Sequence, residues 1–405
     1  MGQSFEEQKD LDARYLMQTF KRKPVEFVRG ADTRLYDDDG KEYTDFLAGI
    51  GVCSVGHNNP KVVAAIKDQA DKLVHVSNYY YIEHRGQAAE RICTMLKGDS
   101  DTDWRIFFAN SGAEANEGMI KNARRWGKVH KDGACGIITL DHSFHGRTLA
   151  TLSATAQDAK QDPFAPLPAG FGSVPINDLD ALEAVIDEPI DGLAPVAVMV
   201  ECIQGEAGVW PCTREYLKGV RELTREHNML LLVDEVQTGF CRTGDYFAFQ
   251  TFGVEPDIVS LAKGIGDGFP MGAFAARDDI AQLMQPGMHG STFGGSNLAC
   301  AAADATTQIM CEPGFLEHVR ETGAYFREKL ATLPFVTDVR GEGLMVGVSL
   351  EKPVAAGVVD AALAHGFVLN SPAADILRFL PPLTIQKEDV DALIAALPTC
   401  YEEAC

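Results

Sequence analysis

Short apolar runs separated by longer stretches of helical periodicity constrain this 405-residue sequence more than any other feature. Candidate strands fall at Arg105–Ala109, Gly136–Asp141, Val196–Glu201, Leu230–Asp234, Asp257–Ala262 and Gly272–Ala276. Candidate helices fall at Ala113–Lys128, Thr213–Glu226 and Asn297–Met310. Several of the runs are unbroken by polar residues, as strands covered on both faces require. The alternation predicts an α/β fold around a largely parallel sheet. After about Pro313 the pattern changes to a helix over Phe315–Leu330, strands near Val336–Arg340, Met345–Leu350 and Ile376–Leu380, and a last helix from Lys387. That predicts a smaller α+β unit. The expected division is a large domain over 46–305 and a small domain over 306–405, with 1–45 joining the small one.

Charge narrows the function. Against 58 acidic side chains stand 36 basic ones, a formal charge of −22. Binding to nucleic acid or to an anionic membrane works by neutralising phosphates with clustered Lys and Arg, so neither partner is expected. Hydrophobic content of 46% with 23% charged residues is that of a folded globular chain. The ten cysteines show no Cys-x-x-Cys spacing, which predicts free thiols and no metal centre. No apolar run reaches the roughly 18 residues of a membrane span. A cytoplasmic, reducing location is expected.

Three strands end in charge: Val196–Glu201, Leu230–Asp234, and the run from Ile258 that meets Lys263 just past its end. Ligands of open parallel sheets bind at the carboxyl ends of strands, so these three side chains are expected to converge. Asn110-Ser-Gly-Ala-Glu-Ala-Asn116 follows a strand and opens a helix. Ser111 and Glu114 fit a capping box, while small Ser111, Gly112 and Ala113 leave room for a phosphate at the helix start. A lysine placed for Schiff-base chemistry, an aspartate to hold a pyridine nitrogen protonated and a phosphate-binding helix start are what pyridoxal phosphate demands. Separately, strand alternation puts Arg378 on one face with Ile376 and Leu380, where an unpaired charge is costly and an anion should meet it.

The resemblance then becomes specific. Asn110–Asn116, Phe144-His-Gly-Arg147, Glu201-Cys-Ile-Gln-Gly-Glu-Ala-Gly208, Leu232–Gly239, Pro256–Gly264 and His289-Gly-Ser-Thr-Phe-Gly-Gly295 resemble, in order, the motifs of class III pyridoxal-phosphate aminotransferases. The likeness covers about residues 10 to 400. Within the class, Phe144–Thr155, Leu369-Asn-Ser-Pro and Leu377-Arg-Phe379 look most like members acting on acetylornithine.

The resemblance implies a fold-type I enzyme with a mostly parallel seven-stranded sheet in its large domain, and pyridoxal 5'-phosphate as cofactor. Lys263 would carry the cofactor and move the proton, Asp234 would pair with the ring nitrogen, and Gln237 would bond the ring hydroxyl oxygen. Ser111, Gly112 and Ala113 would cradle the phosphate, and Phe144 would stack on the ring. Thr292 would reach the phosphate from the second subunit of a homodimer, beside a substrate-facing Ser291. Arg378 would take the α-carboxylate of glutamate, and Arg147 that of acetylornithine. Glu201 would pair with Arg378 when no carboxylate lies there. The implied reaction moves the δ-amine of acetylornithine to 2-oxoglutarate; succinylornithine, succinyldiaminopimelate, ornithine and 4-aminobutyrate are alternative donors. Relatives taking free ornithine carry a tyrosine near the position of Phe20, which argues mildly against that donor.

The chain departs from the family at Cys202, Ala207 and Asp267, all backbone-shaping positions. Cys202 and Cys241 are expected near the pocket. The glycines of Gly49-Ile-Gly51 and Gly264-Ile-Gly266-Asp-Gly268 do not complete a dinucleotide-binding Gly-x-Gly-x-x-Gly at the first strand-to-helix turn, which excludes a nicotinamide enzyme.

Overall fold

The computed structural model describes residues 4–405. Its centre is a seven-stranded sheet built from β1 (Trp104–Ala109), β2 (Gly136–Leu140), β3 (Phe171–Val174), β4 (Pro195–Val200), β5 (Leu230–Asp234), β6 (Ile258–Leu261) and β7 (Gly272–Arg277). The spatial order is β1-β7-β6-β5-β4-β2-β3. The pairs β5/β6, β5/β4, β2/β4 and β2/β3 are parallel, and only β7 runs against its neighbours. Strands β2, β4, β5 and β6 are buried along their whole length, the burial that their unbroken apolar runs predict.

Every candidate strand and helix of the large unit forms within a residue or two of its expected ends. The one strand of this sheet absent from the sequence reading is β3: Phe-Gly-Ser-Val offers two apolar residues, and an edge strand needs no more. Helix α1 (Gly112–His130) starts at Ser111, whose hydroxyl accepts from the Glu114 N–H, and carries Lys128 and His130 in its last turn, where cations oppose the helix dipole favourably. It lies so close to the sheet that a Cβ at Gly118 would overlap the Phe274 ring. Helix α2 (Arg214–Glu226) is capped by Thr213 and buries Tyr216, Leu217, Val220, Leu223 and Thr224, one face at helical spacing. Helix α3 (Asn297–Met310) is buried nearly all round, which its alanine-rich sequence permits.

The C-terminal part carries a four-stranded sheet of Val336–Glu342, Met345–Leu350, Ile376–Phe379 and Asn370–Ala373, with helices Phe315–Leu330 and Lys387–Ala404. The N-terminal strands Phe27–Ala31, Arg34–Asp37 and Glu42–Asp45 join it through the parallel pairing of Thr44 with Phe367. Between these strands and the large unit, Ala48–Gly51 forms a left-handed turn with φ of 50, 63, 68 and 70°. Gly49 and Gly51 supply a conformation that costs other residues roughly 1–2 kcal/mol each, which is the physical reason for their spacing.

Leu232 is fully buried between Met199 on β4 and Ile258 on β6. Leu232→Ala is expected to cost about 2–5 kcal/mol, read as a lowered denaturant midpoint at unchanged slope. An unmoved midpoint would show that the central sheet is not what limits stability.

Candidate active site

Parallel strands deliver their carboxyl ends to one side of the sheet. Glu201 follows β4, Asp234 closes β5, and Lys263 lies two residues past β6. All three line one cavity of about 360 Å³, together with Ser111, Gly112, Ala113, Phe144, Arg147 and Gln237. Nine of the twelve residues singled out in the sequence therefore meet in one place.

Asp234 is 3% exposed. One carboxylate oxygen accepts from the Val236 N–H (2.9 Å). The other accepts from Asn116 Nδ2 (2.7 Å) and faces His145 Nδ1 at 2.8 Å. Burial works against its charge, but the His145 hydrogen bond and charge, with those two N–H donors, hold the carboxyl below its ordinary range. Asn116 also donates to the His145 carbonyl at 2.7 Å, locking the three groups together. His145 and Asn116 were legible only as members of their motifs, because their roles depend on Asp234, distant in sequence.

Lys263 takes φ of 47°, a left-handed backbone rare for a side-chain-bearing residue and of the kind found at functional sites. Burial pushes its ammonium below the usual range, with Arg378 acting in the same direction and Glu206 and Asp234 against it. Burial likewise pushes Glu201 up to about 7, the charge of His145 opposing and that of Asp234 adding.

At the start of α1 the capping box is half formed. Ser111 Oγ accepts from Glu114 N (3.2 Å), but the Glu114 carboxylate turns to the backbone N–H of Asn110 (2.6 Å) and its side-chain amide (2.8 Å). The first N–H groups of this 19-residue helix remain at its positive end, facing the cavity, as a phosphate site requires.

The expected pairing of Glu201 with Arg378 is corrected by the structure. Glu201 accepts from the backbone N–H of Phe144 at 3.0 Å. The carboxylate on Arg378 is Glu206, Oε1 lying 2.6 Å from Nη1. A tight two-stranded hairpin, Ile203–Gln204 with Trp210–Pro211, follows Glu201 directly and carries Glu206 across to the arginine. Arg378 is 2% exposed and its donors are otherwise met by Asn370 Oδ1 (3.1 and 2.8 Å), the Gly205 carbonyl (3.1 Å) and Gln237 Oε1 (3.2 Å). Burial opposes the charge of Glu206, but Arg378 holds it below the ordinary carboxylate range. Glu206 stood in the same motif as Glu201, and nothing in the spacing distinguished the two.

Ser291 and Thr292 do not enter this cavity within one chain. They line a neighbouring recess with Asn110, Glu114 and His289, where Ser291 Oγ accepts from Asn110 Nδ2 at 3.0 Å. Cys202 and Cys241 are fully buried and do not line the cavity. All ten cysteines are free, and among the described residues no group of three or more His, Cys, Asp or Glu is placed to hold a metal ion.

Comparison with known proteins points to one family. The family model for class-III aminotransferases matches residues 17–400. An acetylornithine aminotransferase of Methanocaldococcus jannaschii is 46% identical over 97% of this chain and 98% of its own length. One from Caldanaerobacter subterraneus is 45% identical with the same coverage. Among solved structures, the acetylornithine aminotransferase of Elizabethkingia anophelis superposes with a TM-score of 0.85 at 31% identity, covering 99% of this chain and all of that one. The ornithine aminotransferase of Toxoplasma gondii gives 0.90 at 32% identity, covering 99% and 97%. With a half-buried lysine and a buried aspartate at adjacent strand ends, and a family match over almost its whole length, this chain belongs to the class-III aminotransferases.

Proposed function

We propose that this cavity binds pyridoxal 5'-phosphate and transfers the δ-amine of N2-acetylornithine to 2-oxoglutarate, giving N-acetylglutamate 5-semialdehyde and glutamate, a step of arginine biosynthesis. The observation that carries the reading is the convergence of Lys263 and Asp234, near buried Arg378 and its half-buried partner Glu206. The cofactor supplies an electron-accepting ring that acidifies the carbon bearing the amine. The chain supplies the rest. Lys263, its ammonium disfavoured by burial, holds the cofactor and then carries the proton. Asp234, kept ionised by His145 and Asn116, holds the ring nitrogen protonated. Ser111, Gly112 and Ala113 receive the phosphate, Gln237 the ring hydroxyl, and Phe144 the ring face.

Two carboxylate positions let one pocket serve two substrates. Arg147 is exposed at the cavity rim and free to take the carboxylate of acetylornithine, which lies far from the reacting amine. Glutamate and 2-oxoglutarate carry a carboxylate next to the reacting carbon, where Arg378 would take it in bidentate fashion. Glu206 covers Arg378 when that carboxylate is absent and yields it when one arrives. Glu206→Gln removes the competing anion, so 2-oxoglutarate is expected to bind on the order of tenfold more tightly, the equivalent of one hydrogen bond to a charged group. Weaker binding by the variant would rule the cover out.

A homodimer with shared sites belongs to the same reading. Tyr79 and Tyr81 are 93% and 105% exposed, Tyr80 and Phe293 lie open beside them, and Asn78 ties this segment to the Ser291 and Gly294 carbonyls. Exposed aromatic surface of this kind marks an interface, and it adjoins Thr292, the residue that a second copy would need to lend. We propose the domain division at 45/46 and 305/306 on the separate sheets of the two units. We also propose a cytoplasmic location; no helix among the described residues is long and apolar enough to cross a membrane.

The test is the visible absorption of the purified protein before and after each amine is added without a keto acid. Loss of the bound-cofactor band fastest with N-acetylornithine supports the assignment. Bleaching by another amine alone replaces the donor, and no band after adding pyridoxal phosphate overturns the reading.

A further inference from the structure

Arg242 and Arg378 are the largest fully buried side chains among the described residues. Arg378 has Glu206 as a counter-charge, whereas no carboxylate among those residues pairs with Arg242. Asp45, the acid whose charge reaches it, gives its own oxygens to the N–H groups of Leu47 (2.7 Å) and Ala48 (3.0 Å) and to His57 (2.6 Å). The guanidinium donates from Nη1 alone, to the carbonyls of Pro381 (2.6 Å) and Leu344 (3.1 Å), while Nε and Nη2 have no hydrogen-bond partner. Burial pushes it down to about 9, with Cys241 and Asp45 acting against. Such a charge is costly to bury, and what it secures is the placement of two carbonyls. Both belong to the frame of Arg378. Pro381 follows the strand Ile376–Phe379 that carries Arg378, and Leu344 leads into Met345–Leu350, the strand that pairs with it and sets Gly347 opposite Arg378. The seam is closed from the other side by the Leu344 N–H, which donates to the Arg242 carbonyl at 3.0 Å, and by Gly343, where a Cβ would lie 2.5 Å from that carbonyl oxygen.

We infer that Arg242 is a positioning residue for the keto-acid half of the reaction, acting through Arg378. This rests on the proposed reading in which Arg378 takes the carboxylate next to the reacting carbon. Arg242 lies on the segment that leaves β5 with Asp234 and Gln237, so its guanidinium joins the part of the chain that holds the ring in that reading to the part that holds the carboxylate. Gln237 Oε1 and Arg378 Nη1 meet across the same gap at 3.2 Å. A shift of about 1 Å in such a separation is enough to cost on the order of 10²-fold in rate. N-acetylornithine has no carboxylate beside its reacting amine and does not use Arg378, so its half of the reaction is insensitive to the seam.

The experiment follows the bound-cofactor absorption of the holoenzyme through each half-reaction separately: its loss with N-acetylornithine alone, and its return when 2-oxoglutarate meets the amine-loaded enzyme. In Arg242→Met the efficiency of the second half is expected to fall on the order of tenfold, as weaker 2-oxoglutarate binding rather than a slower limiting rate, while the first half stays within about twofold. Arg242→Lys, whose ammonium can donate to both carbonyls, should restore most of the loss. In an Arg378→Ala background, Arg242→Met should add nothing further, because the residue through which it acts is gone. If the methionine variant does not fold, Gly343→Ala parts the same seam and should shift the same ratio of the two halves. Equal losses in the two halves, an unshifted ratio or additive losses in the double variant would overturn the inference, and loss of the second half in Arg378→Ala alone would leave the active-site reading standing. A second half that survives Arg378→Ala would overturn both.

Discussion

Lys263→Ala is expected to lower the rate of amine transfer by about 10⁴-fold or more, since one residue acts as both covalent anchor and general acid–base. The side chain sits half-buried in the cavity, on a backbone held at φ 47°, so no neighbouring amine can replace it without moving the chain. Alanine in that backbone region carries the same strain as lysine, so the fold should persist, and far-ultraviolet circular dichroism would check this. Bound cofactor should lose the absorption that depends on attachment to the protein and should wash out on dialysis. Turnover within tenfold of the unaltered enzyme would sink the assignment of Lys263.

For Asp234→Asn the expected loss in turnover is about 10²–10³-fold, the scale of removing one partner of a buried charge pair. Asparagine keeps the shape and can still accept from Val236, but it cannot hold a proton on a ring nitrogen by charge. The buried imidazole of His145 would also lose the carboxylate that its Nδ1 faces at 2.8 Å. The change is measured by turnover and by pyridoxal-phosphate affinity in parallel. A loss below tenfold in both would show that the carboxylate is structural. A fall in affinity alone would assign Asp234 to holding the cofactor rather than to activating it.

Asp234 and Arg378 show how far sequence reasoning carries. Asp234 was readable because an apolar run ending in an acid is a local pattern, and because parallel strands place such ends on one side. Arg378 was readable for a related reason: on a strand whose alternate residues are apolar, a charge must be answered by an anion. Which anion answers it was not readable, and the expectation of Glu201 was wrong. Glu201 and Glu206 lie five residues apart in one motif, and a two-stranded hairpin that starts after Glu201 and carries Glu206 in its loop decides which one reaches Arg378. The left-handed turn over Ala48–Gly51 and the edge strand Phe171–Val174 escaped for similar reasons, since neither carries a periodic apolar signal.

By itself the sequence determined the α/β architecture, the strand ends that carry charge, the start of the helix that opens on the cavity and nine of the residues that line it. These follow from interactions between neighbours in the chain: apolar periodicity, helix capping and the alternation of side chains along a strand. Tertiary structure alone decided that His145 and Asn116 hold Asp234 and that Glu206 rather than Glu201 covers Arg378. Most of those contacts join residues that are remote in sequence, and all of them act over a few ångströms through partly desolvated space. Their partners are therefore chosen by how the sheet, the hairpin and the loops pack rather than by any local pattern.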